Sequence, residues 1–170
     1  MFDLLKFINH NKKINGKGVF EVYGTYYHLT PYDMGNSAEL EPRKPSISNW
    51  KAISGASNIL YCLIAMPKEK TSTDKFFVYR NKRPEKAYRQ IFEDGLTYDE
   101  VRMFKKTEFI KVGVLQNCIK VFDIFRDIDH IGNEDNLEKQ REALKELIFI
   151  KQRKTFFVPF AKIEKRNIII

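Results

Sequence analysis

A chain of 170 residues that is 43% hydrophobic and 14% aromatic carries enough apolar side chain to build a core, which excludes intrinsic disorder. The length fits one domain, residues 1–170, better than two. Lys and Arg number 30 against 22 Asp and Glu, a net charge of +8, yet the signs are interspersed and no block reads as a disordered basic tail.

Two cysteines, Cys62 and Cys118, sit inside apolar runs far apart, which disfavours a zinc or redox motif and excludes a disulfide framework. The longest apolar stretch, residues 59–66, is too short to span a bilayer. The opening Met1-Phe2-Asp3 places an acid where a signal peptide carries positive charge. A cytoplasmic protein with free thiols and no membrane partner is expected. The Lys, Ile, Asn and Phe bias suits a low-GC bacterium or its phages.

In chain order, Phe2, Leu5 and Ile8 have helical spacing and predict a short opening helix. Residues 19–28 (VFEVYGTYYH) read as one strand, with Phe20, Val22, Tyr26 and His28 on its core-facing side. Residues 31–49 hold three prolines and predict an extended surface loop. Ser57 is the expected cap of a short buried helix that Pro67 stops. Residues 76–80 (FFVYR) predict a central strand, and Arg83-Pro84 a brief helix or turn. Thr97-Tyr98-Asp99-Glu100 reads as a capping box opening a helix through Phe104.

Residues 107–115 (TEFIKVGVL) alternate, which places Glu108, Ile110, Val112 and Val114 on one strand face. Residues 119–125 are another strand candidate. Asp135 and Glu138 are expected to cap a longer helix, of roughly 16 residues, with Leu137, Leu144, Leu147 and Ile148 on its buried stripe. Residues 155–163 (TFFVPFAKI) predict a closing strand whose Pro159 suits an edge. Strands outnumber helices without regular alternation, so the fold class is α+β.

No P-loop, GxGxxG, HExxH or GxSxG is present. Asp127, Asp129, Gly132 and Glu138 match four positions of a calcium loop, but Ile131 at the fifth offers no side-chain oxygen. A loop entering a capped helix explains the same acids, and no metal is expected.

His28 leaves its strand on the core face and is followed by Thr30 and a turn, a common way to present an imidazole at a cleft. The ordered series YYHLTP, LEPRKP, SGASNILYCLIAM and FFVYR resembles the N-terminal half of the ADP-ribosyltransferase-like fold, His-type branch. More narrowly it is similar to small phage and mobile-element proteins of that kind. The resemblance covers residues 19–112 and implies a split antiparallel or mixed sheet with short helices and an NAD site. It implies that His28, with Thr30 beside it, grips a ribose, and that Ser54, Ser57 and Tyr61 line the nicotinamide pocket. Arg43 then reaches the pyrophosphate as a bidentate donor. Glu108 matches the late catalytic glutamate, a fixed carboxylate that stabilises positive charge developing on the ribose.

The implied function is an NAD-binding mono-ADP-ribosyltransferase, or a relative that kept the pocket and lost catalysis, acting as a toxin or anti-defence effector. Two readings from other classes stand beside it. The basic charge allows a nucleic-acid-binding endoribonuclease toxin with His28 as base. A non-catalytic inhibitor that binds a host defence protein needs neither His28 nor Glu108. Plain packing accounts for the same residues: His28 as a hydrogen-bonded core histidine, Glu108 as a strand-end acid paired with a neighbouring cation, Ser57 as a helix cap.

Overall fold

The computed structural model describes residues 1–15, 19–44, 49–90, 99–126 and 137–152. Its centre is the run FFVYRN, which forms strand β5 (Phe76–Asn81) with Phe76, Val78 and Tyr79 fully buried. Both faces of this strand are covered, which is why its apolar residues run consecutively instead of alternating. Each such side chain contributes about 1.5–3 kcal/mol by leaving water.

Along the chain the elements are α1 (Phe2–Asn15), β1 (Val19–Gly24), β2 (Tyr27–Thr30), β3 (Ser37–Leu40), β4 (Ile53–Ala56) and α2 (Ile59–Ile64). A 3-10 turn (Lys68–Lys70) precedes β5, and β6 (Glu85–Gln90), β7 (Glu100–Met103), β8 (Thr107–Gln116), α3 (Cys118–Phe125), α4 (Leu137–Glu146) and β9 (Ile148–Lys151) follow. The strands form one sheet in the order β1-β6-β7-β4-β2-β5-β8-β3, with β9 also on β8. Every strand pairing among the described residues is antiparallel. With the short helices this is an α+β arrangement.

The sheet is thin at β2–β4, which register at one pair, Tyr27↔Ala56; β6 and β7 likewise register at Tyr88↔Arg102. On one face α2, α3 and α4 enclose Leu29, Leu60, Leu63, Phe76, Val78, Val112 and Leu115. On the other, Tyr26, Ile53, Tyr79, Ala87, Val101, Met103 and Phe109 make a second cluster. Helix α1 is pinned by Phe7, whose ring meets Trp50 edge-on at 5.2 Å and Phe104 at 5.6 Å.

Several expectations change. The single strand over residues 19–28 is two strands, because Asn81 bridges a break in it: Oδ1 accepts from the Tyr26 amide and Nδ2 donates to the Gly24 carbonyl. The loop over residues 31–49 contains β3 and an isolated bridge, Arg43↔Ala52. Glu100–Met103 is strand β7, not helix, with Val101 and Met103 alternating inward. Residues 85–90 after the Arg83-Pro84 turn are also a strand.

Residues 118–125 are helix rather than strand, since Cys118, Val121 and Phe122 are buried at helical spacing. Of the last helix the described residues hold Leu137–Glu146; the expected cap Asp135 lies outside them, and Ile148 belongs to β9, where it is half exposed. The cap of α2 is Asn58, whose side chain accepts from the Leu60 amide at 2.8 Å, rather than Ser57. The calcium-like residues Asp127, Asp129 and Gly132 and the closing strand at residues 155–163 lie outside the described residues.

Candidate functional site

Past Tyr27↔Ala56 the ladder between β2 and β4 stops, and the Ser54 carbonyl turns to a side chain. His28 Nδ1 lies 2.8 Å from that oxygen. A carbonyl only accepts, so Nδ1 carries the proton and Nε2 keeps its lone pair. His28 is half-buried, and its ring meets Phe109 edge-on at 6.1 Å. Burial pushes its pKa below the ordinary 6.5, the positive charges of Lys70 and Arg43 add in the same direction, and the Ser54 bond opposes them. The imidazole is therefore neutral near pH 7.

The other expected residues divide around this point. Arg43 is exposed, and its backbone bridges Ala52, the residue before β4. Thr30 is buried and its hydroxyl accepts from the Tyr32 amide at 3.2 Å, a local turn bond. The Ser54 hydroxyl accepts from Arg102, which also pairs with Glu100 at 2.7 Å. Tyr61 is half-buried on α2. Ser57 is exposed, and its hydroxyl is engaged by Asp99 and Arg89.

Glu108 stands apart from His28. His28 pairs with Tyr79 and touches Phe109, so it occupies the face of the second cluster. Glu108 precedes Phe109 in an extended strand and points to the opposite face. It shares that face with Ile110 and Val112, as the alternation predicts, but a bulge opposite Val78/Tyr79 removes Val114 from the row. At the uncovered end of β8 its side chain is 48% exposed and pairs with Lys82 at 2.9 Å, while Ser37 donates at 3.2 Å. Lys82 holds its carboxyl below the usual range.

Sequence reasoning passed over Asp99, whose carboxylate is 2% exposed and is the most enclosed acid of the region. It accepts from the Ser57 amide at 3.3 Å, the Asn58 amide at 2.8 Å, the Ser57 hydroxyl and Arg89 at 2.9 Å. Burial raises its pKa in spite of those donors. The capping box read into Thr97–Glu100 opens no helix, since residues 100–103 are strand β7 and Thr97 and Tyr98 lie outside the described residues; Asp99 instead accepts from the amides that lead into α2, beyond the neighbouring strand β4. Arg89 carries no mark in residue order that sets it apart from the other basic residues.

Burial pushes the thiol of Cys62 up, and that of Cys118 up to about 12, so neither is a ready nucleophile. Among the described residues no group of three or more His, Cys, Asp or Glu is placed to hold a metal ion. Among them, too, no helix is long and apolar enough to cross a membrane. Comparison of the chain with protein-family models, with curated proteins and with solved structures finds no match.

Proposed function

We propose that this protein binds a nucleotide of the NAD type where β2 and β4 part, within an ADP-ribosyltransferase-like fold, and that ADP-ribosyl transfer is its class of chemistry. The observation that carries the reading is the neutral His28, held by the Ser54 carbonyl at the opening in the sheet and within the positive potential of Lys70 and Arg43. A neutral imidazole with Nε2 bare accepts a hydrogen bond from a ribose hydroxyl. Arg43 and Lys70 supply the positive potential that a pyrophosphate needs. Bound NAD supplies the scissile nicotinamide–ribose bond. The chain's part is to orient the ribose at His28 and to neutralise the phosphates.

Glu108 is not part of this site, because it lies on the other face and is committed to Lys82. The nucleic-acid reading draws less support. Lys82, Lys86, Lys106, Lys111 and Lys120 each sit against an acid, so those parts of the surface alternate in sign instead of forming a basic stripe.

Titration with NAD and with ADP-ribose, followed by melting temperature and calorimetry, tests the proposal. Saturable binding is expected, weakened about tenfold or more by Arg43→Ala through loss of a charge-assisted hydrogen bond, and lost in His28→Leu. Absence of any shift with either nucleotide rejects it.

A further inference from the structure

Ser57 lies where a strand turns into a helix, two residues after Gly55 and two before the first residue of α2. Gly55 allows the tight approach there, since a Cβ on it would stand 2.9 Å from the Tyr27 carbonyl oxygen. Beyond it, Ser57 emerges as the exposed residue of a buried segment. Its hydroxyl meets the buried Asp99 carboxylate, and Arg89 Nη2 lies 3.0 Å from its oxygen. An ionised carboxylate only accepts and a guanidinium only donates, so the bonding sense is fixed: the Ser57 hydroxyl donates to Asp99 and accepts from Arg89.

We propose that Ser57 is an activated nucleophile of the acyl-transfer class, with Asp99 as its base and Arg89 as its oxyanion partner, acting on a carboxylic ester. This does not rest on the nucleotide reading, which uses His28 and Arg43.

The step balances with water as the only other reactant. Ser57 Oγ bonds to the acyl carbon, the carbonyl π pair moves onto oxygen beside Arg89, and the hydroxyl proton passes to Asp99. Collapse re-forms the carbonyl and breaks the ester C–O bond, and the leaving alcohol takes the proton from Asp99. Water, deprotonated by Asp99, then attacks the acyl-serine; the carboxylic acid leaves and Ser57 regains its hydroxyl. The amides of Ser57 and Asn58 already bond Asp99, so Arg89 takes the place that backbone donors fill in other strand–turn–helix nucleophiles.

The titratable groups facing Asp99 keep a single charge state near neutral pH. Arg89 comes from β6, Tyr26 from the segment before β2 and Cys62 from α2. Arginine stays charged, and burial raises the pKa of both the phenol and the thiol, so neither ionises near neutral pH.

The full chain is treated with an alkyl fluorophosphonate probe and, separately, with p-nitrophenyl butyrate. Stoichiometric labelling at Ser57 is expected, together with ester hydrolysis that Ser57→Ala abolishes. Asp99→Asn should slow hydrolysis about 100-fold, the usual scale for losing a general base. The wild-type rate should climb with pH through one ionisation above the ordinary aspartate value and then level. That profile decides the matter if Asp99→Asn does not fold. Labelling spread equally over surface hydroxyls such as Ser37, hydrolysis unchanged in folded Ser57→Ala, or a rate rising only with hydroxide overturns the proposal.

Discussion

The imidazole of His28 fills the hydrogen-bonding position that β2 leaves open to Ser54, with Nδ1 2.8 Å from the carbonyl oxygen. One side chain therefore both ends the ladder between two strands and satisfies the backbone group exposed by its ending.

A pH dependence follows from the burial of this imidazole, which outweighs the opposing Ser54 bond. Because the folded pKa of His28 lies below 6.5, the unfolded chain binds the proton more readily. Its contribution to stability is complete above about pH 6.5 and falls as pH drops from there to the folded value. His28→Asn keeps an N–H for the Ser54 carbonyl and removes the titration. Melting temperatures at pH 7.5 and 5.5 should differ less for His28→Asn than for wild type, and equal differences would count against the assignment.

Asp99 gathers four donors, so the two ways of removing its charge should diverge. Asp99→Ala leaves Arg89 and the Ser57 and Asn58 amides without their acceptor and is expected to cost about 3–5 kcal/mol. Asp99→Asn keeps one acceptor oxygen and should cost less, about 1–3 kcal/mol. Urea unfolding with unchanged m-values gives both numbers.

Gly113 lies under the docked strand β9. A Cβ there would come within 2.5 Å of the Phe149 ring and 2.6 Å of the Ile150 carbonyl oxygen. The ring can swing away, but the backbone oxygen cannot without moving the strand. Gly113→Val is expected to destabilise by about 1–3 kcal/mol and to raise amide exchange selectively in residues 148–151. Unaltered exchange in β9 would show that the contact is dispensable.

Glu108→Gln should leave both the melting temperature and any NAD-dependent shift unchanged. Its pair with Lys82 is exposed, and such pairs contribute little in water. Loss of nucleotide binding in this variant would return Glu108 to the site.

Much of the sheet was written in residue order. FFVYR reads as a central strand and lies between β2 and β8, and TEFIKVGVL reads as a strand, which β8 is. Its face is right for Glu108, Ile110 and Val112 and wrong from Val114 onward, because a bulge is set by the partner strand and leaves no local mark. The break at Tyr26 depends on Asn81, which is 55 residues away. The helical spacing of Cys118, Val121 and Phe122 was legible, but β-branched neighbours outweighed it.

The site separates the two kinds of information more sharply. By itself the sequence determined that the +8 chain can fold, that it is α+β, and that His28 leaves its strand on a buried face, because composition and period-two alternation are local properties. Tertiary structure alone decided which polar groups meet. Ser54 turns to His28 only because β4 parts from β2, Asp99 reaches Ser57 across 42 residues, and Glu108 ends opposite Lys82 on the other face. Hydrogen bonds and ion pairs act over about 3 Å, so chemistry follows from strand neighbours that residue order does not specify.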